Sequence, residues 1–164
     1  MIRKLSSEDF QNIFDIVNEA AVAYRGKIPP DCWKEPYMPQ EELKTEIAQG
    51  VQFYGYTKNG VLVAVMGIQP IGDVTLIRHA YTLTSHQRMG IGEKLLNHLL
   101  KLAKTGRVFV GTWQDAPWAI SFYQKHGFEL LSREQTNKLL KTYWDIPKRQ
   151  LETSVVLELK RRKQ

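Results

Sequence analysis

Cysteine is nearly absent: Cys32 is the only one in 164 residues. An intrachain disulfide is impossible, and a zinc site built on cysteine thiolates is excluded, so no metal is expected. Cys32 lies in a proline-flanked loop with no histidine paired to it in sequence, which argues against a thiolate nucleophile. No apolar run approaches the roughly 18–20 residues that span a bilayer. The opening Met1-Ile2-Arg3-Lys4-Leu5-Ser6 turns polar too early for a secretory signal. The expectation is a cytoplasmic protein that does not enter a membrane. Internal repeats and low-complexity linkers are also missing. So are helix-turn-helix, zinc-finger and RNP-type signals, which makes nucleic acid an unlikely main ligand. That holds despite a net charge of +6, part of it in the tail Lys160-Arg161-Arg162-Lys163, which reads as a solvated terminus. A basic surface still favours anionic small molecules.

What is present describes one globular domain, residues 1–164, with 43% hydrophobic residues to fill a core. Ile2 to Leu5 reads as a short strand. Phe10, Ile13, Phe14, Val17 and Ala21 share one face of a helix that Ser6 or Ser7 can cap. Tyr24 to Pro39 is punctuated by Gly26, Pro29, Pro30, Pro36 and Pro39 and reads as a loop. A helix over Gln40 to Gln49 ends at Gly50. Val51–Thr57 and Val61–Gln69 form strands around an Asn59-Gly60 hairpin turn, the second stopped by Pro70. Asp73–Leu83 is a further strand, followed by a helix to about Lys104 and a buried strand over Arg107–Thr112. Asp115 can cap the next helix, which carries Pro117 in its first turn and stops at Gly127. Phe128–Leu131, an amphipathic Lys138–Trp144 run, a break at Pro147 and a strand over Thr153–Leu159 complete the chain. The final strand and the Lys138–Trp144 run look apolar enough to serve as edges for a homodimer. Strict strand–helix alternation fails early, so a doubly wound parallel sheet fits less well than a mixed sheet.

The most informative stretch is Gln87-Arg88-Met89-Gly90-Ile91-Gly92, between a β-branched run and a helix with Leu95, Leu96, Leu99 and Leu100 at helical spacing. The first-turn N–H groups of a helix lack intrahelical partners, and the helix dipole adds positive charge there. Gly90 and Gly92 carry no Cβ, so an anion can approach the backbone. An ordinary packing turn has the same spacing. A second segment, Ala119-Ile120-Ser121-Phe122-Tyr123-Gln124-Lys125-His126-Gly127-Phe128, follows about 30 residues later.

Together, Gln87-x-x-Gly90-x-Gly92 and Ala119-x-x-Phe122-Tyr123-x-x-x-Gly127-Phe128 resemble the acyl-CoA-binding core of the GCN5-related N-acetyltransferase (GNAT) superfamily. The resemblance covers roughly Thr75 to Leu131. It implies a single-domain α/β acyl-CoA N-acyltransferase fold, with a mixed six- to seven-stranded sheet flanked by helices. It implies acetyl-CoA as cosubstrate and a primary amine of a small molecule, amino acid or peptide as acceptor. By position it places cofactor binding on Ala80, Tyr81, Thr82, Gln87, Arg88, Met89, Gly90, Ile91 and Gly92, with the Thr82 N–H as oxyanion donor. It makes Tyr123 the catalytic acid that protonates the leaving thiolate; the apolar run around Tyr123 also suits a core aromatic.

Three positions depart from the family; a valine is commoner where Thr82 stands, which matters little because the backbone does the work there. Many relatives place a glutamate where Gly111 stands, and an asparagine where Ala116 stands. The base is therefore left open among His79, His86, Asp115 and ordered water. Asp115 reads better as a helix cap, and His79 as a structural histidine. The aromatics Trp33, Tyr37, Trp113, Trp118, Tyr143 and Trp144 either pack or shape an acceptor pocket; no acidic cluster is present to grip a polycation. The departure at Gly111 keeps a second reading alive, a CoA-binding sensor with little catalysis.

Overall fold

Asn59 and Gly60 both adopt positive φ, 53° and 80°, the geometry that two-residue hairpins require. They fold β2 (Gln52–Lys58) back onto β3 (Val61–Ile71). A second hairpin pairs β3 with β4 (Val74–Thr82), and β1 (Ile2–Lys4) adds to the outer side of β2. This antiparallel half passes to a parallel pairing between β4 and β5 (Arg107–Trp113), connected through α3 (Ile91–Leu102). β7 (Ser154–Lys160) lies antiparallel to β5, and β6 (Glu129–Leu130) pairs with β7. The result is one mixed seven-stranded sheet in the order β1-β2-β3-β4-β5-β7-β6. The computed structural model describes residues 1–161, so Arg162 and Lys163 of the basic tail lie outside the described residues.

Strand alternation divides the core between the two faces of the sheet. On one face, Leu95, Leu96 and Leu99 of α3 pack on Val63, Met66, Ile77, Val108 and Val110, joined by Tyr123 of α4 (Pro117–Lys125). Each of those buried leucines contributes about 1.5–3 kcal/mol of apolar burial. The other face is covered by α1 (Phe10–Ala20) and α2 (Gln40–Ala48), through Ile13, Ile16, Val17 and Leu43. Beside them, α5 (Arg133–Tyr143) sets Leu140 against Val74, Leu76, Phe109 and Val156. A short α6 (Lys148–Glu152) leads into β7. Among the described residues no helix is long and apolar enough to cross a membrane.

Several sequence expectations are corrected here. β3 continues through Pro70 to Ile71, because Pro70 stands one residue from the strand's end, where a lost N–H donor costs little. The amphipathic run begins five residues earlier than expected, at Arg133, because Ser132 and Gln135 form a reciprocal capping box. Ala116, not Asp115, is the N-cap of α4, and no side chain caps that helix. β7 is not an edge, being paired on both sides, and the apolar face of Lys138–Trp144 is covered by the protein's own sheet.

The middle of β4 is irregular. Val65 pairs with Tyr81 and Gly67 with Arg78, so Met66 alone faces His79 and Ala80. This is a β-bulge, and His79 takes φ of 53° within it. Gly67 permits the close approach: a Cβ there would stand 3.0 Å from the Arg78 carbonyl oxygen and 2.9 Å from Val51 Cγ1. Gly67→Ala should therefore destabilise the fold by about 1–3 kcal/mol, read as a lowered midpoint in urea unfolding.

Candidate functional site

The parallel pairing of β4 with β5 begins at Val74 and Arg107 and stops at Ile77 and Val110. Beyond those residues the two strands separate, leaving a wedge between Arg78–Thr82 and Gly111–Trp113. β3 takes up the hydrogen bonds on the far side of β4. Leu83 N–H donates to the Val63 carbonyl at 2.9 Å, so the alternation of antiparallel pairs turns the backbone groups of Thr82 and Ala80 the other way, into the wedge. The Thr82 carbonyl accepts a bond from Gln87 Nε2 at 3.1 Å, which ties the turn to the strand end.

The turn then enters α3 through Gly90, the N-cap, at φ 77°. That left-handed geometry suits glycine, and a Cβ at position 90 would meet nothing within 4 Å. The space over the helix N-terminus is therefore open, and no side chain caps it. This cradle lies in a groove of about 770 Å³ that runs along α3 and α4. Ala80, Tyr81, Thr82, Gln87, Arg88, Gly90, Ile91 and Gly92 all line it; Met89 does not, and its side chain points to solvent. Lys125 and His126 line its α4 side.

A second, smaller cavity of about 130 Å³ opens on the other side of the wedge. Tyr24, Ala80, Tyr81, Ala119 and Tyr123 line both spaces. Tyr123 is buried, with its ring edge-on to Phe122 and Phe128. Burial pushes its phenol above the ordinary tyrosine value, with a smaller contribution from Tyr24. The hydroxyl has no protein partner among the described residues, yet it is not a sealed orphan. Tyr123 lines both spaces at their junction.

The smaller cavity is aromatic and contains no carboxylate among its lining side chains. Tyr37 accepts a hydrogen bond from Trp113 Nε1 at 2.7 Å, and Tyr24 stacks on Trp118 at 6.1 Å between centroids. Burial raises the Tyr24, Tyr37 and Tyr81 phenols as well. Trp144 follows the C-terminus of α5 and lies over Gly111; a Cβ at 111 would stand 3.3 Å from its indole. The space that a side chain at 111 would take is thus filled by Trp144. An exposed ion pair, Arg149 Nε to Asp31 Oδ2 at 2.8 Å, joins α6 to the segment after α1.

Behind the wall of this cavity sits a polar cluster. Glu46 of α2 is buried, and its Oε1 lies 2.5 Å from His79 Nε2 and 3.0 Å from Arg78 Nη2. Arg78 Nη1 also donates to Gln69 Oε1 at 3.1 Å. Burial works to raise the Glu46 carboxyl, but the charge and hydrogen bond of His79, with the charge of Arg78, outweigh it and hold the group below its usual range. His79 and Arg78 line the smaller cavity.

A model of the acetyltransferase (GNAT) family matches residues 11–128, more than half of the chain. The chain belongs to that family. It is an acetyl-CoA-dependent N-acetyltransferase, and acetyl-CoA is its cosubstrate. Solved structures agree in fold. The PaiA N-acetyltransferase from Thermoplasma acidophilum, solved with coenzyme A, is 21% identical, with a TM-score of 0.74 over 98% of both chains. An acetyltransferase from Streptococcus agalactiae is 16% identical, with a TM-score of 0.74 over 98% of this chain and 97% of that one. The ribosomal-protein-S18-alanine N-acetyltransferase from Escherichia coli is 17% identical, with a TM-score of 0.69 over 98% of this chain and 92% of that one.

Of the base candidates raised by the sequence of this acetyltransferase, only His79 reaches the small cavity; His86 lines the large groove and Asp115 lines neither. Sequence reasoning missed Glu46 and Tyr24. Glu46 carried a signal, an acid three residues after buried Leu43 on the inward stripe of a helix. Tyr24 carried none.

Glu46 has a direct stability consequence. Its folded-state pKa lies below the unfolded one, so its contribution is fully present above the unfolded value and is lost as pH falls through the folded one. Glu46→Gln should cost about 1–3 kcal/mol at neutral pH. The difference from the parent should shrink in urea unfolding as pH drops below about 4.

Proposed function

We propose that this acetyltransferase moves the acetyl group of acetyl-CoA to the primary amine of a small molecule, amino acid or peptide, from inside the wedge between β4 and β5. The observation that carries the reading is that Tyr123 lines both the groove and the small cavity, at the point where a thioester and an amine can meet.

The chain's residues fit the cosubstrate. Uncapped first-turn amides of α3, bare of side chain at Gly90, suit a pyrophosphate. The backbone groups of Ala80 and Thr82, turned into the wedge, can pair with the amides of the pantetheine arm, with the Thr82 N–H aimed at the thioester oxygen. Gln87 lines the groove and donates its Nε2 to the Thr82 carbonyl, which ties the cradle to the strand end. Tyr123 supplies the proton for the departing thiolate. Burial raises the phenol above the ordinary tyrosine value, so it carries its proton at physiological pH.

The acceptor side favours an amine with a flat or apolar body. Its walls include the phenols and indoles of Tyr24, Tyr37, Tyr81, Trp113 and Trp144, which can pack on such a body, beside Arg78 and His79. With no carboxylate in the lining, a polycation gains nothing there.

Acetyl-CoA should raise the melting temperature, by an amount that grows with its concentration. Tyr123→Phe should lower kcat about 100-fold with little change in the KM for acetyl-CoA, and Gly90→Val should raise that KM about 10-fold or more. A stopped thiol-release assay in parallel with thermal shift checks all three. Binding without thiol release for any primary amine would favour the sensor reading instead.

A further inference from the structure

The acceptor amine reaches the enzyme as an ammonium ion and must shed a proton before it can attack. Side chains lining the acceptor cavity that titrate or carry charge are Arg78, His79, Tyr24, Tyr37, Tyr81 and Tyr123. A guanidinium does not accept a proton. The four phenols are all pushed up by burial and are neutral acids at physiological pH. No carboxylate lines the cavity. Position 111, which faces the cavity from β5, is a glycine covered by Trp144.

His79 differs from all of these. Its Nε2 is engaged by Glu46 Oε1 at 2.5 Å, and the ionised carboxylate accepts the Nε2 proton. In the neutral ring that tautomer leaves Nδ1 with a free lone pair, and once Nδ1 takes a proton the ring becomes the charged partner that Glu46 stabilises. Among the described residues Nδ1 has no protein partner, yet it is not a sealed orphan, and His79 is one of the residues that line the cavity. The backbone supports this placement. His79 occupies the left-handed region at φ 53° in the bulge opposite Met66, a conformation a non-glycine residue keeps only where its surroundings impose it. Phe53 of β2 stacks on the ring at 6.0 Å, and Glu46 of α2 holds its Nε2. Arg78, also on Glu46, offsets the carboxylate's charge, so the dyad is not merely an ion pair.

We propose that His79 is the general base for the acceptor amine, with Glu46 as the residue that positions it; this rests on the acetyl-transfer reading above. Nδ1 takes one proton from the ammonium and passes it to water. The free amine then forms the C–N bond at the acetyl carbon, and the C–S bond breaks. Tyr123 gives its proton to the thiolate, and the second proton lost by nitrogen restores the phenol through solvent. The balance is ammonium plus acetyl-CoA giving amide, CoA thiol and one released proton.

The test uses two nucleophiles at neutral pH: benzylamine, which arrives protonated, and hydroxylamine, which arrives neutral and needs no base to become nucleophilic. The variant is His79→Asn, because asparagine tolerates left-handed backbone and its amide can still donate to Glu46. Benzylamine turnover should fall about 100-fold or more while hydroxylamine turnover stays near the parent value, with CoA affinity by calorimetry unchanged. Added imidazole should restore part of the benzylamine rate. Glu46→Gln should reduce benzylamine turnover with a displaced pH profile and spare hydroxylamine, the profile being read with Arg78 and the four cavity phenols present throughout. An equal loss on both nucleophiles, or no loss on either, overturns the base assignment. Failure of the parent enzyme with both nucleophiles while CoA still binds overturns the acetyl-transfer reading itself, and the base with it.

Discussion

The hydrogen bonds between β4 and β5 end at Ile77 and Val110, and the chemistry of this protein depends on that early parting. Two strands that stayed paired would spend their backbone groups on each other. Here β3 satisfies one edge of β4, and the other edge, at Ala80 and Thr82, faces an open wedge. The same parting lets α4 bring Tyr123 up to the wedge from one side of the sheet, while Trp144 and the aromatic segment around Tyr24 and Tyr37 close it from the other. A groove for a long cosubstrate and a small chamber for an amine thus share one wall.

The bulge in β4 is the second half of this design. Adding a residue opposite Met66 re-aims the strand and puts His79 into a backbone region that its neighbours must enforce. Glu46 supplies much of that enforcement by engaging His79 and Arg78 together. A buried carboxylate with two nitrogen partners is costly to leave half-satisfied, so the arrangement is held as a unit. Gly67 contributes by leaving room beside the Arg78 carbonyl. Stability and site geometry are therefore coupled at one point on the central strand.

How much of this was legible in the sequence follows from range. The cradle was legible because its parts are adjacent: a strand, two glycines and a helix within some twenty residues, with Gly90 taking the N-cap. Tyr123 was singled out through a spaced motif, and it lines both the groove and the chamber. The capping box at Ser132 and Gln135 was written in the sequence and passed unread, which is why α5 begins earlier than the apolar run suggested. Asp115 misled because a good capping residue need not cap when its neighbour takes the position. The pairing of Glu46 with His79 spans 33 residues and two elements, and the lining of the chamber draws on segments from Tyr24 to Ser154; only tertiary packing brings these together. The filling of the Gly111 site by Trp144 is of the same kind, a compensation across the fold that no local pattern announces.

The central claim is that the cosubstrate lies in the wedge, with its diphosphate on the bare amides of α3 and its sulfur beside Tyr123. A crystal structure with coenzyme A bound tests this most directly. The account predicts phosphate oxygens within hydrogen-bonding distance of backbone N–H groups between Arg88 and Gly92, the pantetheine arm along Ala80 to Thr82, and the thiol next to the Tyr123 hydroxyl. Coenzyme A found elsewhere on the surface, or in the groove with its thiol turned away from Tyr123, would contradict it.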